Sequence, residues 1–195
     1  MNFLAHLLLS GNDEKLTIGN YLGDFVRSVH LKELNPQIVK GVELHHAIDS
    51  YTDAHLVFQK SVERLRPSYR KYSPVLTDIF YDYFLARNWS EFSNQPLQEF
   101  AFKMYELLNR YESVFPPKAI RFLQFLERYN VLYNYGNKEG IQRVLNGMSK
   151  RASFNSKMDE AVEELKEFEA DFNAEFMAFF PDLLHFCEKW IADHE

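Results

Sequence analysis

An all-α fold is predicted, on three observations. Apolar residues recur three and four apart through most of the 195-residue chain, the spacing of an amphipathic helix. Two dipeptides, Asn35-Pro36 and Ser73-Pro74, set a capping residue before proline at the first helical position. Glycine and proline number seven each, too few for a turn-rich β fold. No segment reads convincingly as a strand, and the short connections favour antiparallel neighbours. The length suits one compact multi-helix domain over residues 1–195, able to bury a core without staples. With 18 phenylalanines and 11 tyrosines, that core is aromatic.

The elements follow in order. Residues 2–10 read as a short buried helix around His6, which is either a core histidine bonded to a backbone carbonyl or a ligand. Gly11 to Glu14 is a turn, and Thr17 is the expected cap of a second helix with Ile18, Tyr21, Leu22, Phe25 and Val26 on its apolar face. Asp24 falls in that helix, either solvated or held by a partner, since Gly23 beside it admits another helix. From Asn35-Pro36 a helix runs through His45 and Asp49, burying Val39, Val42, Leu44 and Ile48. Residues 56–66 form the next. Arg64, Arg66, Arg70 and Lys71 lie at its end with Tyr69 and Tyr72, either a solvated loop or a docking patch for an acidic partner. Pro74 to Trp89 carries Asp78 and Asp82 amid large apolar residues. Further helices are expected from Pro96 to Ser113, after Pro116-Pro117, around residues 138–148 and from Met158 to Phe180. Pro181-Asp182 is expected to break the last before a terminal helix.

Composition narrows the function. A net charge of −6 disfavours a general nucleic-acid binder. One cysteine, Cys187, allows neither an internal disulfide nor a cysteine zinc site and suits a reducing cytoplasm. The N-terminal apolar run is short and lacks a basic region and a cleavage site, and nothing approaches the roughly 18 apolar residues of a membrane span. A soluble protein is expected.

Two helical turns concentrate the chemistry. His45 and Asp49 are four apart, as are Asp78 and Asp82, so each pair shares one helix face. Stacked carboxylates in an apolar helix need a proton or a cation between them, unless one faces water. With His6 and Asp24 they form a His/Asp set suited to manganese, iron or magnesium rather than structural zinc. Water activated at such a metal is hydrolase chemistry. Phosphate-loop, dinucleotide, serine-elbow and His-Glu-x-x-His motifs are absent from the sequence.

The segments Met1 to Leu7, Gly19 to Arg27, His45 to Asp53, Pro74 to Trp89 and Val144 to Met148, in this order, resemble the acyl carrier protein phosphodiesterase family. That family is a distant relative of the HD phosphohydrolases. The resemblance implies an HD-phosphohydrolase-like helical core, a divalent cation, typically manganese, and hydrolysis of holo-acyl carrier protein to apo protein and 4′-phosphopantetheine. The chain departs from the HD pattern in lacking an adjacent His-Asp pair. Together with the residues, the resemblance implies that His6, Asp24, His45 and Asp78 hold the metal. Asp49 or Asp82 then orients water or moves its proton, Arg27 or Arg87 neutralises phosphate, and Arg64, Arg66, Arg70 and Lys71 dock the acidic carrier. A phosphohydrolase of nucleotides or small phosphodiesters is the alternative, and a non-enzymatic helical binding protein a third reading.

Overall fold

The computed structural model describes residues 1–194, the side chains of residues 28–30 excepted. Among the described residues there are helices and turns but no strand. α1 (Phe3–Leu9) is capped by Asn2, and α2 (Glu14–Leu22) by Asp13, whose carboxylate accepts from the Leu16 amide. The cap lies four residues before the expected Thr17, because Asp13 reaches the third amide of the helix while the Thr17 hydroxyl turns back to the Asp13 carbonyl. The helix also ends earlier, so Asp24 lies just beyond α2 rather than inside it.

α3 (Pro36–Ala54) starts where the Asn35-Pro36 signal places it, with the Asn35 side chain accepting from the Gln37 amide. α2 and α3 cross backbone to backbone: a Cβ on Gly19 would lie 1.9 Å from the Ile38 carbonyl oxygen, and one on Gly41 2.2 Å from that of Leu16. This contact fixes the separation of the Asn20 and His45 turns.

α4 (Leu56–Tyr69) runs further than expected, through Pro67. Arg64 and Arg66 thus lie on the helix, while Arg70 and Lys71 form the turn after it. α5 (Ser73–Arg87) follows a short 3₁₀ turn at Arg70–Tyr72. Ser73 opens this helix without capping it: its hydroxyl is buried and unpartnered. α6 (Leu97–Arg110), α7 (Pro117–Arg128), the single turn α8 (Val131–Asn134) and α9 (Lys138–Arg151) form a second group.

The C-terminal elements depart most from expectation. α10 (Val162–Glu167) is short, the break falls at Phe168, and α11 (Glu169–Asp193) passes straight through Pro181. A proline inside a helix costs about 3 kcal/mol. Here Phe172, Phe176, Phe179, Phe180, Leu183 and Cys187 bury one continuous stripe across it, and at roughly 1.5–3 kcal/mol per large side chain that burial outweighs the cost.

α11 packs on α3, α4 and α5, with Tyr81 edge-on to Phe58 and Phe176. Arg64 ties α4 to α11 through a bidentate pair with Glu175, at 2.6 and 2.8 Å. α1 lies against α2 and α5, and α9 against α5. The result is a cleft whose floor is α1, α3 and α5 and whose facing wall is α7 to α9.

Candidate metal centre

One corner of the cleft is built by three neighbouring turns. α1 supplies His6, α3 supplies His45 and Asp49, α2 supplies Asn20, and Asp24 follows just beyond α2. The imidazoles of His6 and His45 stack with ring centroids 4.1 Å apart. Each is oriented by Asn20. His6 Nδ1 lies 2.7 Å from the Asn20 side-chain oxygen and His45 Nδ1 2.8 Å from the Asn20 backbone oxygen. The amide is itself held the right way round, because its NH₂ donates to the His6 carbonyl and to the Ser10 hydroxyl. An Nδ1–H that donates to oxygen leaves Nε2 with its lone pair free.

Both Nε2 atoms point at Asp49, at 3.2 Å for His6 and 3.3 Å for His45. Asp24 approaches His45 Nε2 from the other side, at 3.5 Å. His6 Nε2 is buried without a hydrogen-bond partner. One donor atom from each of His6, His45 and Asp49 can be chosen so that all lie within 4.8 Å of one another. Two imidazoles and a carboxylate, one nitrogen of them orphaned in the interior, fit a divalent cation.

The packing behind the rings is equally specific. A Cβ on Gly23 would sit 2.1 Å from His45 Cγ, so only glycine lets the ring occupy its place. Gly23 was expected to admit another helix, and it is the His45 ring of α3 that it admits; the part played by Asn20 was not legible from residue spacing.

The electrostatics follow from the pairing. Burial holds His6 below its ordinary value, and the neighbouring His45 adds to this against the pull of Asp49. Burial would lower His45 too, but Asp24 and Asp49 lift it to about 9. Burial would raise Asp49, yet the two imidazoles hold its carboxyl well below the carboxylate range. His45 likewise depresses Asp24.

The two α5 carboxylates share a face, as the spacing requires, and that face meets α1. Asp78 Oδ1 lies 2.9 Å from the Met1 ammonium, which is also 3.6 Å from Asp49. Asp82 is fully buried one turn on and accepts from the amides of Leu4 and Ala5, at 2.8 and 3.3 Å. Burial pushes its carboxyl up to about 7 against the pull of those two amides. Asp82 therefore holds the start of α1 instead of facing the cleft. Asp49, expected to act on water, lies within the ligand cluster itself.

The cleft has a volume of about 440 Å³. Asp24, His45, Asp49, Asp53 and Asp78 line one side, and Phe122, Phe125, Leu126, Val131, Val144 and Met148 the other. Lys71 and Arg151 also line it. A larger groove of about 1300 Å³ between α6 and α7 contains none of the candidate residues. Arg27 and Arg87 are exposed and do not line the cleft, and Arg87 lies over the Tyr83 ring at 6.0 Å. Of the expected docking cations, Arg64 is committed to Glu175 and Arg66 pairs with Glu63 on the surface.

A family model described as acyl carrier protein phosphodiesterase matches residues 1–183. The acyl carrier protein phosphodiesterase of Escherichia coli O157:H7 is 33% identical over 185 residues, covering 94% of this chain and 96% of the relative. That of Escherichia coli strain K12 / DH10B is 33% identical over 188 residues, with the same shares covered. No solved structure matches the chain.

Proposed function

The chain belongs to the acyl carrier protein phosphodiesterase family, a family of hydrolases, and we propose that the His6/His45/Asp49 corner is where it cleaves the phosphodiester of holo-acyl carrier protein. The observation that carries this reading is the convergence of two Nε2 atoms on one carboxylate at the floor of a cleft. His6, His45 and Asp49 would hold a divalent cation, manganese before magnesium or iron, which when bound would supply Lewis-acid activation of phosphate and water. Asp24 and Asp78 stand beside them in the same corner.

The reaction balances simply. Water oxygen bonds to phosphorus, the bond from phosphorus to the carrier serine oxygen breaks, and that oxygen takes up a proton. Phosphopantetheine leaves, and the carrier keeps a free serine. Asp24, exposed beside His45, would accept the proton of the attacking water. Asn20 keeps both rings in the tautomer that directs Nε2 forward. The apolar wall from α7 to α9 covers the hydrocarbon parts of the arm and excludes water from the reacting bond.

The protein surface of the carrier docks on Arg66 and Arg70, exposed at the end of α4 and the turn after it. Arg70 has φ 50° and ψ −118°, a backbone state that ordinarily belongs to glycine and costs a side-chain-bearing residue about 1–3 kcal/mol. Strain of that size at an exposed cation is typical of a functional turn.

Intact-mass analysis of holo-acyl carrier protein incubated with the enzyme and manganese, with and without a chelator, tests the proposal. Loss of one phosphopantetheine, abolished by the chelator, is expected. An unchanged carrier mass with metal demonstrably bound would refute the substrate assignment.

A further inference from the structure

Two cations line the cleft, and the metal corner uses neither. Lys71 comes from the 3₁₀ turn that leads into α5, directly after the strained Arg70. Arg151 is the last residue of α9, on the opposite wall. Both are exposed, and neither forms an ion pair among the described residues. Of the acids that line the cleft, Asp53 forms no ion pair among the described residues and the other three are already engaged. Asp24 and Asp49 face the imidazoles, and Asp78 faces the Met1 ammonium. The Lys71 ammonium lies 4.5 Å from the centroid of the Phe154 ring and 5.2 Å from that of Tyr72. Aromatic faces position a cation without cancelling its charge. Phe154 is itself 69% exposed and lines a neighbouring surface groove, so Lys71 stands where that groove and the cleft meet.

The cleft is therefore polarised. One corner is carboxylate and imidazole, the other bears two free cations, and an apolar wall lies alongside. A phosphodiester monoanion needs neutralising groups on its non-bridging oxygens while its phosphorus faces the metal corner. We infer that Lys71 and Arg151 are the substrate-binding residues that hold those oxygens. Arg151 offers a planar fork and Lys71 a point charge. This assignment rests on the proposed reaction. It moves Lys71 from carrier docking to phosphate binding and gives the anion-neutralising role to residues other than Arg27 and Arg87.

Apo-acyl carrier protein separates the two roles, because it keeps the docking surface and lacks the phosphodiester. The variants Lys71→Ala, Arg151→Ala and Arg151→Lys are compared with wild type by kcat/KM on holo carrier, by calorimetric affinity for apo carrier, and by bound metal. Each alanine variant is expected to lose about tenfold or more in kcat/KM, which is about 1.4 kcal/mol of charge-assisted bonding. Apo-carrier affinity and metal content are expected to stay unchanged, and Arg151→Lys to recover part of the loss. An equal loss of apo-carrier affinity would make these residues part of the docking surface and overturn the assignment. Unchanged kcat/KM, or lost metal, would overturn it as well. Wild-type enzyme inactive on holo carrier would instead refute the proposed reaction, whatever the variants do.

Discussion

Asn20 shows how much one side chain can decide. Its side-chain oxygen orients His6, its backbone oxygen orients His45, and its NH₂ is anchored twice. Asn20→Ala removes the His6 partner and leaves the His45 partner intact. Outer partners of ligating histidines are typically worth tenfold to a hundredfold in metal affinity, so a loss of about tenfold is expected by manganese titration. Unchanged affinity would mean that His6 does not ligate. Gly23→Ala tests the same corner from behind. The added methyl overlaps His45 Cγ, so the ring must leave its place. Metal affinity should fall about tenfold or more while far-ultraviolet circular dichroism keeps its helical form. His45 with Asp49 and Asp78 with Asp82 were legible as pairs because side chains four apart share a helix face, whereas His6 and Asp24 joined them as ligands only with the resemblance. Their division of labour was not legible. Whether Asp49 ligates or merely assists depends on where α1 delivers His6, a tertiary fact with no local signature.

At the scale of the element, α1 is the piece most dependent on others. It spans Phe3–Leu9, too short to be stable alone, and its first amides are satisfied by Asp82 across 78 and 77 residues of sequence. Asp82→Ala leaves those buried amides without an acceptor, at about 1–3 kcal/mol. A lower melting temperature is therefore expected, together with weaker metal binding, because His6 rides on α1. Asp82→Asn keeps one acceptor oxygen and should fall between. Lost turnover at unchanged melting temperature and metal content would return Asp82 to the chemistry. The carboxylate pair on α5 was expected to hold a proton or a cation between them unless one faced water, whereas Asp78 meets the Met1 ammonium and Asp82 two backbone amides. The second of these was hidden, because backbone amides at a helix start carry no residue code. The proline signals divide in the same way. Asn35-Pro36 started a helix where local rules place it, whereas Pro67 and Pro181 lie inside helices because buried stripes on either side outweigh the lost bond.

Across the whole molecule, the all-α class was the most legible feature, since apolar periodicity survives any rearrangement of helices. The cleft was the least legible, because its wall and floor come from segments far apart in the chain. The same holds for Arg64. It looked like a docking cation, yet with Ser61 and Lys60 it holds Glu175 and closes α11 onto α4. Burial would raise the Glu175 carboxyl, but Arg64, Ser61 and Lys60 outweigh it and keep the value below the ordinary one. A folded-state value below the unfolded one gives stability that is present above the unfolded pKa and lost as pH falls through the folded one. Denaturant midpoints should therefore drop as pH is lowered into the acid range, and Glu175→Gln should flatten that limb. An identical acid limb in the variant would show that other carboxylates set it. The central claim is that one cation is held by the two imidazoles of α1 and α3. Electron spin-echo spectroscopy of the manganese-loaded protein addresses it directly, because nitrogen bound to manganese modulates the echo. Two imidazole nitrogen couplings are expected in the wild type and one in His45→Gln. Manganese bound with no nitrogen coupling would contradict the site.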